Sequence, residues 1–265
     1  MKTWKISLIA LAAALITASA AFAASETLAK DTLIVGTEST FPPMEFRSST
    51  GDLVGYDIDI VEAIGEKLGK KVEWVDMSFD GLIPSLLMHK IDLIAAGMAA
   101  TPERKKKIAF SDITNHSEAA FFVLKGNEKA TAADFEGKTI AAQLGTIQDA
   151  YAKKMENVTV NNYQKTDDCL REVLYGRVDA ALIDGPAGYE YLQAKDFAGK
   201  ITLCAITDVA SASSGSALGI AKDDEEFLTA VNTALAELKS EGTYQNIRDK
   251  WHLDDWKKLA ENKEE

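Results

Sequence analysis

From Thr32 onward, short apolar runs alternate with stretches whose apolar residues recur at helical spacing, and the series occurs twice. Leu33-Ile34-Val35 reads as a buried strand ending at Gly36. Ile60, Val61, Ile64 and Leu68 then share one helix face, with Gly69 as the stop. Val72–Val75 is the next strand, and Leu82, Ile83, Leu86 and Leu87 mark a helix that Asp80 can cap. Ile91–Ala95 is a third strand, followed by a helix with Thr101 as N-cap and Pro102 at its first position. A second series starts at Phe121-Phe122-Val123-Leu124. It runs through Lys138–Ala142, a helix within Gly145–Met155, Val158–Val160, a helix over Asp167–Tyr175 and the strand Val178–Ile183. Near the end, Phe227, Val231, Leu235 and Leu238 line a long helix stopped at Gly242. Strand–helix–strand repetition predicts an α/β fold of mainly parallel sheets flanked by helices. Two series of similar size predict two lobes with a cleft between them, where small-molecule sites tend to lie.

The first 23 residues read as a targeting segment. Lys2 and Lys5 give a basic start, Ile6–Ala20 is nearly all apolar or small, and Ala21-Phe22-Ala23 has the small-x-small pattern of a cleavage site. The other reading is a membrane anchor, but the stretch falls short of the roughly 20 apolar residues a spanning helix needs. The expected product is an exported, soluble, monomeric chain cleaved near Ala23. The net charge of −12 becomes −14 once Lys2 and Lys5 leave with that segment, and such a surface repels nucleic acid and anionic membrane. Cys169 and Cys204 could pair in an oxidising compartment or stay as buried thiols; their spacing does not decide. His89, His116 and His252 are scattered without metal-ligand spacing, so neither a metal nor a cofactor is expected.

Arg104 closes the stretch Ala96-Gly97-Met98-Ala99-Ala100-Thr101-Pro102-Glu103-Arg104 between a strand and a helix. Gly97 lets a ligand approach the backbone, and free amides converge there with a planar guanidinium. That combination suits a carboxylate. The alternative is a surface charge on a helix.

Several segments together resemble the periplasmic amino-acid-binding proteins of ABC importers, the bacterial extracellular solute-binding proteins of the polar amino acid class. They are Val35–Phe46, Gly55–Ile60, Phe79–Leu86, Gly97–Lys107 with Ile108-Ala109-Phe110-Ser111, Gly145–Gln148, Gly176–Asp184, and Glu241–Tyr244 with Trp251. The resemblance implies a two-lobed periplasmic-binding-protein fold joined by two hinge strands. Lobe 1 would hold residues 32–115 and 211–260, and lobe 2 residues 119–208, with hinges near His116–Ala120 and Val209–Ser213. It implies a free amino acid as ligand and an inner-membrane ABC permease as partner.

Carried onto this chain, the resemblance assigns the ligand's carboxylate to Arg104 and to the backbone amides of Ala99 and Ile147, with Gly97, Met98 and Thr146 beside them. Many relatives carry a hydroxyl residue at the positions of Ala99 and Ile147, so only main-chain contacts carry over. Asp184 matches the ammonium-binding carboxylate; its other reading is a cap for the helix beginning Gly185-Pro186. Asp179 is read as structural. Phe41 and Phe79 match aromatics that sandwich the ligand's side-chain stem, or else pack in the core, and Phe46 is a weaker candidate. Met44 stands where relatives often have Phe. Glu38 is the specificity clue, unless it points to solvent. An acid there suits arginine, lysine, ornithine or histidine by charge and glutamine through its amide, and it disfavours acidic ligands. Gln143 offers a polar contact. Some proteins on this scaffold are dehydratases, for which Glu38, Glu45 or Asp184 could serve as general acid, but a guanidinium–carboxylate pair suits a zwitterion better. A receptor sensor domain would need a membrane helix after the lobes, where this chain has the charged segment Lys257–Glu265.

Overall fold

The protein is described by a computed structural model covering residues 25–253 except 130, 208 and 210–214. The expected targeting segment, most of the second hinge and the charged tail lie outside the described residues.

A helical turn, α1 (Glu26–Ala29), leads into β1 (Thr32–Thr37), β2 (Thr40–Phe41), β3 (Glu45–Arg47), β4 (Leu53–Val54), α2 (Tyr56–Leu68) and β5 (Lys71–Asp76). Then come α3 (Phe79–Leu87), β6 (Leu93–Ile94), α4 (Pro102–Lys105) and β7 (Ala109–Phe110). The chain crosses into β8 (Ala119–Leu124), a 3-10 turn at Ala132–Phe135, β9 (Thr139–Gln143), α5 (Ile147–Ala152) and β10 (Thr159–Tyr163). It continues through α6 (Thr166–Leu174), β11 (Ala180–Asp184), α7 (Gly185–Gln193) and β12 (Ile201–Thr207), and returns to β13 (Gly219–Ile220), α8 (Glu225–Ser240) and α9 (Thr243–Lys250).

Two five-stranded sheets result, ordered β5-β1-β6-β13-β7 and β10-β9-β11-β8-β12, with a small β2-β3-β4 meander on the first. Parallel pairing is confined to strands linked by a crossover helix: β1 with β5 and β6, and β9 with β10 and β11. The strands that enter or leave by the interlobe crossings pair antiparallel: β13 with β6 and β7, and β8 with β11 and β12. Each sheet is therefore mixed, because the same chain must both build the β-α-β units and pass between the lobes. Helices cover both faces. Around the first sheet, α2 and α8 pack Ile60, Ile64, Phe227 and Leu235 on one side, and α3 packs Leu82 and Leu86 on the other. Around the second, α6 supplies Leu170 and Val173 to one face, while Phe135 of the 3-10 turn and Ala152 of α5 cover the other. Burial on both faces explains why β8 and β11 read as continuous apolar runs.

Gly69 ends α2 at φ 66°, and Thr101 caps α4 by accepting the Arg104 amide. Asp80 is not the cap of α3: Ser78 holds that position and Asp80 lies in the first turn. The strand expected over Ile91–Ala95 pairs as a ladder only at Leu93–Ile94, because Gly97 (φ 52°) turns the chain away. His116–Ala120 runs directly into β8. Asn115 exchanges backbone hydrogen bonds with Ser216 (Ser216 N to Asn115 O, 2.9 Å), and Ala119 pairs with Thr207. Neither Cys169 nor Cys204 is in a disulfide; the first is buried and the second half-buried. Burial pushes the Cys169 thiol up.

Gly188 in α7 packs directly on Phe122 of β8, and a Cβ there would fall 1.9 Å from the ring's Cζ. Gly188→Ala is expected to destabilise the second lobe by about 1–3 kcal/mol, the usual cost of overpacking, read as a lower urea midpoint at unchanged slope.

Candidate functional site

The two sheets meet across one cleft. The cavity there encloses about 760 Å³ of non-atom space, its solvent mouth included, and takes its walls from both lobes. Four hydrogen bonds between side chains of one lobe and groups of the other hold the walls together. Arg104 Nη2 donates to the Gly145 carbonyl (2.9 Å) and Gln143 Nε2 to Glu38 Oε2 (2.9 Å). The Thr166 amide donates to Thr40 Oγ1 (3.2 Å) and the Tyr191 hydroxyl to the Thr40 carbonyl (2.8 Å).

Arg104 projects from the single turn of α4 that Thr101 and Pro102 start. Its Nη1 donates to the Ala99 carbonyl at 2.8 Å, and its Cζ stands 5.2 Å from the Phe79 ring centroid. A guanidinium has five N–H groups, so three remain after these two bonds, in a plane fixed by the carbonyls and the ring. Burial pulls its pKa down to about 10, still far above neutrality. Ile147 is the first residue of α5, and as at any helix start its amide has no intrahelical acceptor. The Thr146 hydroxyl is occupied, donating to the Gln143 carbonyl (2.8 Å) and capping Asp149.

Three carboxyls line the same cavity: Glu38 and Glu45 from the first lobe, Asp184 from the second. Glu38 is 4% exposed and is not a solvent-facing loop residue. Burial raises its pKa, opposed by hydrogen bonds from Thr40 and Gln143. Glu45 is 1% exposed, and neither carboxyl oxygen has a hydrogen-bond partner among the described residues. Burial, then the nearby charges of Asp57, Glu38 and Asp184, push it well above the glutamate range. Asp184 occupies the N-cap position of α7 without forming a side-chain cap bond. Its Oδ2 accepts from the Ser117 hydroxyl and its Oδ1 is unpartnered. Burial raises it to about 7, against the pull of the Ser117 hydroxyl. Behind this wall, Asp57 accepts the Gly97 amide at 2.8 Å, and burial lifts it to about 6. Buried carboxyls with unused oxygens are costly unless a cation meets them. The cavity thus offers one guanidinium to one anionic group and several carboxyls to more than one cationic group.

Phe41 and Phe79 both line the cavity. Gly97 permits the approach of Phe41, since a Cβ there would meet the ring at 2.5 Å. Of the residues singled out from the sequence, Glu38, Phe41, Phe79, Gly97, Ala99, Arg104, Gln143, Thr146, Ile147 and Asp184 come together around this space. Met98 does not: its side chain packs in the core with Leu82 and Ile94, pointing away from the cleft. Phe46 stacks edge-on against Trp251 (5.7 Å) and does not line the cavity, and Met44 lies in the core of the first lobe. Asp179 accepts the Thr139 amide at 2.8 Å, tying β9 to the turn before β11. The sequence reading assigned no ligand role to Glu45, Ser117 or Thr166. Glu45 carried a signal, as an acid inside an otherwise apolar run beside Met44 and Phe46; Ser117 and Thr166 carried none.

A family model described as bacterial extracellular solute-binding proteins, family 3, matches residues 33–254. The chain belongs to this family. The lysine/arginine/ornithine-binding periplasmic protein of Escherichia coli K12 is 34% identical over 249 residues, covering 91% of this chain and 95% of that protein. The arginine-binding extracellular protein ArtP of Bacillus subtilis 168 is 30% identical over 256 residues, covering 95% and 98%. Solved structures of an ancestral arginine-binding protein, one bound to arginine and one to glutamine, match with a TM-score of 0.79 at 39% identity, covering 84% of this chain and 98% of theirs. An ancestral amino-acid-binding protein described as a precursor of cyclohexadienyl dehydratase matches at 0.77 and 33% identity, covering 85% and 97%.

The raised carboxyls set a pH dependence for the ligand-free chain. Each is harder to ionise folded than unfolded, so the unfolded state releases its protons first as pH rises. Their stabilising contribution is full below the ordinary carboxyl values and is lost as pH climbs to the raised ones, from 3.8 to about 7 for Asp184. The urea midpoint without ligand is expected to fall across this range, and Glu45→Gln should flatten the decline and raise the midpoint at neutral pH.

Proposed function

We propose that this family member is the substrate-binding component of an ABC amino acid importer, capturing a free basic L-amino acid such as arginine, lysine, ornithine or histidine, with glutamine as a weaker ligand. One observation carries the reading: Arg104 and three buried carboxyls share a single cavity walled by both lobes. The ligand carboxylate pairs with the remaining N–H groups of Arg104 and with the amides of Ala99 and Ile147. Its ammonium meets Asp184, and a cationic side chain passes between Phe41 and Phe79 toward Glu38 and Glu45. An acidic side chain there would bring like charges together without relief. The names of the relatives support a basic ligand, and the glutamine-bound ancestral structure supports tolerance of an amide.

Binding proceeds by population shift. A ligand held by one lobe lacks half its partners, so the closed arrangement binds it more tightly, and hinge closure follows as in periplasmic binding proteins generally. We assign lobe 1 to residues 32–115 and 211–260 and lobe 2 to 119–208. Export with cleavage near Ala23, a monomeric state and docking on an inner-membrane permease complete the proposal. The relatives are named as binding proteins, and the neighbour linked by name to a dehydratase is itself an amino-acid-binding protein, so binding without turnover is the favoured reading.

A thermal-shift screen of the chain against the common amino acids, ornithine and citrulline tests the assignment. Basic amino acids are expected to give the largest rise in Tm, glutamine a smaller one and glutamate none; a dominant shift with glutamate would overturn it. In calorimetry, Asp184→Ala should retain the fold and bind the best ligand about tenfold or more weakly, the scale of one lost charge-assisted contact.

A further inference from the structure

Four residues, two from each lobe, close a hydrogen-bond ring at the edge of the cavity through their side chains and one backbone amide. Thr40 Oγ1 donates to Glu38 Oε1 at 2.7 Å and accepts the Thr166 amide at 3.2 Å. The Thr166 hydroxyl donates to Gln143 Oε1 at 3.3 Å, and Gln143 Nε2 returns to Glu38 Oε2 at 2.9 Å. Gln143 Nε2 also donates to the Gln164 carbonyl at 3.0 Å. Both of its partners are pure acceptors, which fixes the orientation of the amide: a flipped group would set its oxygen against two others. The Tyr191 hydroxyl, reaching the Thr40 carbonyl at 2.8 Å, pins β2 to the second lobe. Glu38 and Gln143 line the cavity, and Thr40 does not.

We propose that Thr40 and Gln143 are positioning residues for Glu38, holding its carboxylate aimed into the closed cleft so that the group reading the ligand's side chain is completed by the lobe opposite its own. The inference rests on the function proposed above. Two charge-assisted hydrogen bonds fix both oxygens of a carboxylate and favour its ionised form. That opposition matters because the surroundings press the other way. Burial, Asp76 of β5 and Asp167 of α6 all raise the Glu38 carboxyl. Glu45 of β3 and Tyr191 of α7 also sense its charge. Asp184 at the end of β11 and His116 of the crossing segment line the same cavity, where Arg104 of α4 supplies the guanidinium. When the lobes part, Gln143 and Thr166 leave together, and Glu38 keeps only Thr40. Selectivity for a cationic side chain is thereby tied to closure.

Thr40→Val tests this, because it has nearly the same volume, keeps the carbonyl that Tyr191 uses and touches no ligand. Titration calorimetry of the full chain with arginine and with glutamine, from about pH 5 to about pH 8, reads the effect. At neutral pH the arginine affinity should fall about tenfold. The loss should deepen toward pH 5, since Glu38 without the hydroxyl takes up its proton at higher pH. Glutamine should lose about twofold or less, Thr40→Ser should restore arginine binding, and in a Glu38→Gln background Thr40→Val should have little further effect. Equal losses for both ligands at every pH, or an arginine loss that persists in the Glu38→Gln background, would overturn the inference, and so would unchanged arginine binding by Thr40→Val. A wild-type chain that binds neither ligand would overturn the proposed function and this inference with it. Should Thr40→Val fail to fold, Gln143→Met read with the same ligands supports or overturns it by the same ratio.

Discussion

A carboxylate taken out of water needs a partner, and the cleft of this protein holds more carboxyls than it has partners for. Glu45 has neither oxygen satisfied, and Asp57 and Asp184 each leave one unpaired among the described residues. Arg104, the guanidinium lining the cavity, already spends two of its N–H groups on carbonyls. The cost is carried as a shift in proton affinity, with Asp57 near 6 and Asp184 near 7. Such a wall is well matched to a cationic hydrogen-bond donor. The apolar framework around it, with helices on both faces of each sheet, holds the arrangement against relaxation.

The lobes contribute unequally. The first supplies Arg104, Glu38, Glu45 and both aromatic walls; the second supplies Asp184, Gln143 and the start of α5. This division follows from the topology. In each lobe the C-terminal ends of the parallel strands open toward the cleft, so loops after β1 and β6 face loops after β9 and β11. Residues distant in sequence are brought together by the sheet order.

Much of this was legible in the sequence, for reasons that differ by residue. The alternation of strand and helix signals marks two α/β series because burial on both sheet faces leaves continuous apolar runs such as Phe121–Leu124. Thr101-Pro102 declares a helix start through local chemistry alone, and Arg104 follows from it. The sequence misleads at Met98, because a strand-to-turn stretch does not reveal which side chains face the core; the turn at Gly97 sends Met98 inward. Asp80 reads as a cap in a segment where Ser78 begins the helix two residues earlier. The antiparallel half of each sheet was hidden because it arises from where the chain crosses between lobes. Ser117 matters through Asp184, far along the chain, and no local pattern announces such a partner.

The grip of Arg104 on the Gly145 carbonyl has a consequence for unloading. In the proposed function Arg104 takes the anion, and it is braced by the far side of the cleft, as Glu38 is braced by Gln143. Any machine that prises the halves apart withdraws both braces in one stroke, loosening the two ends of the cargo together.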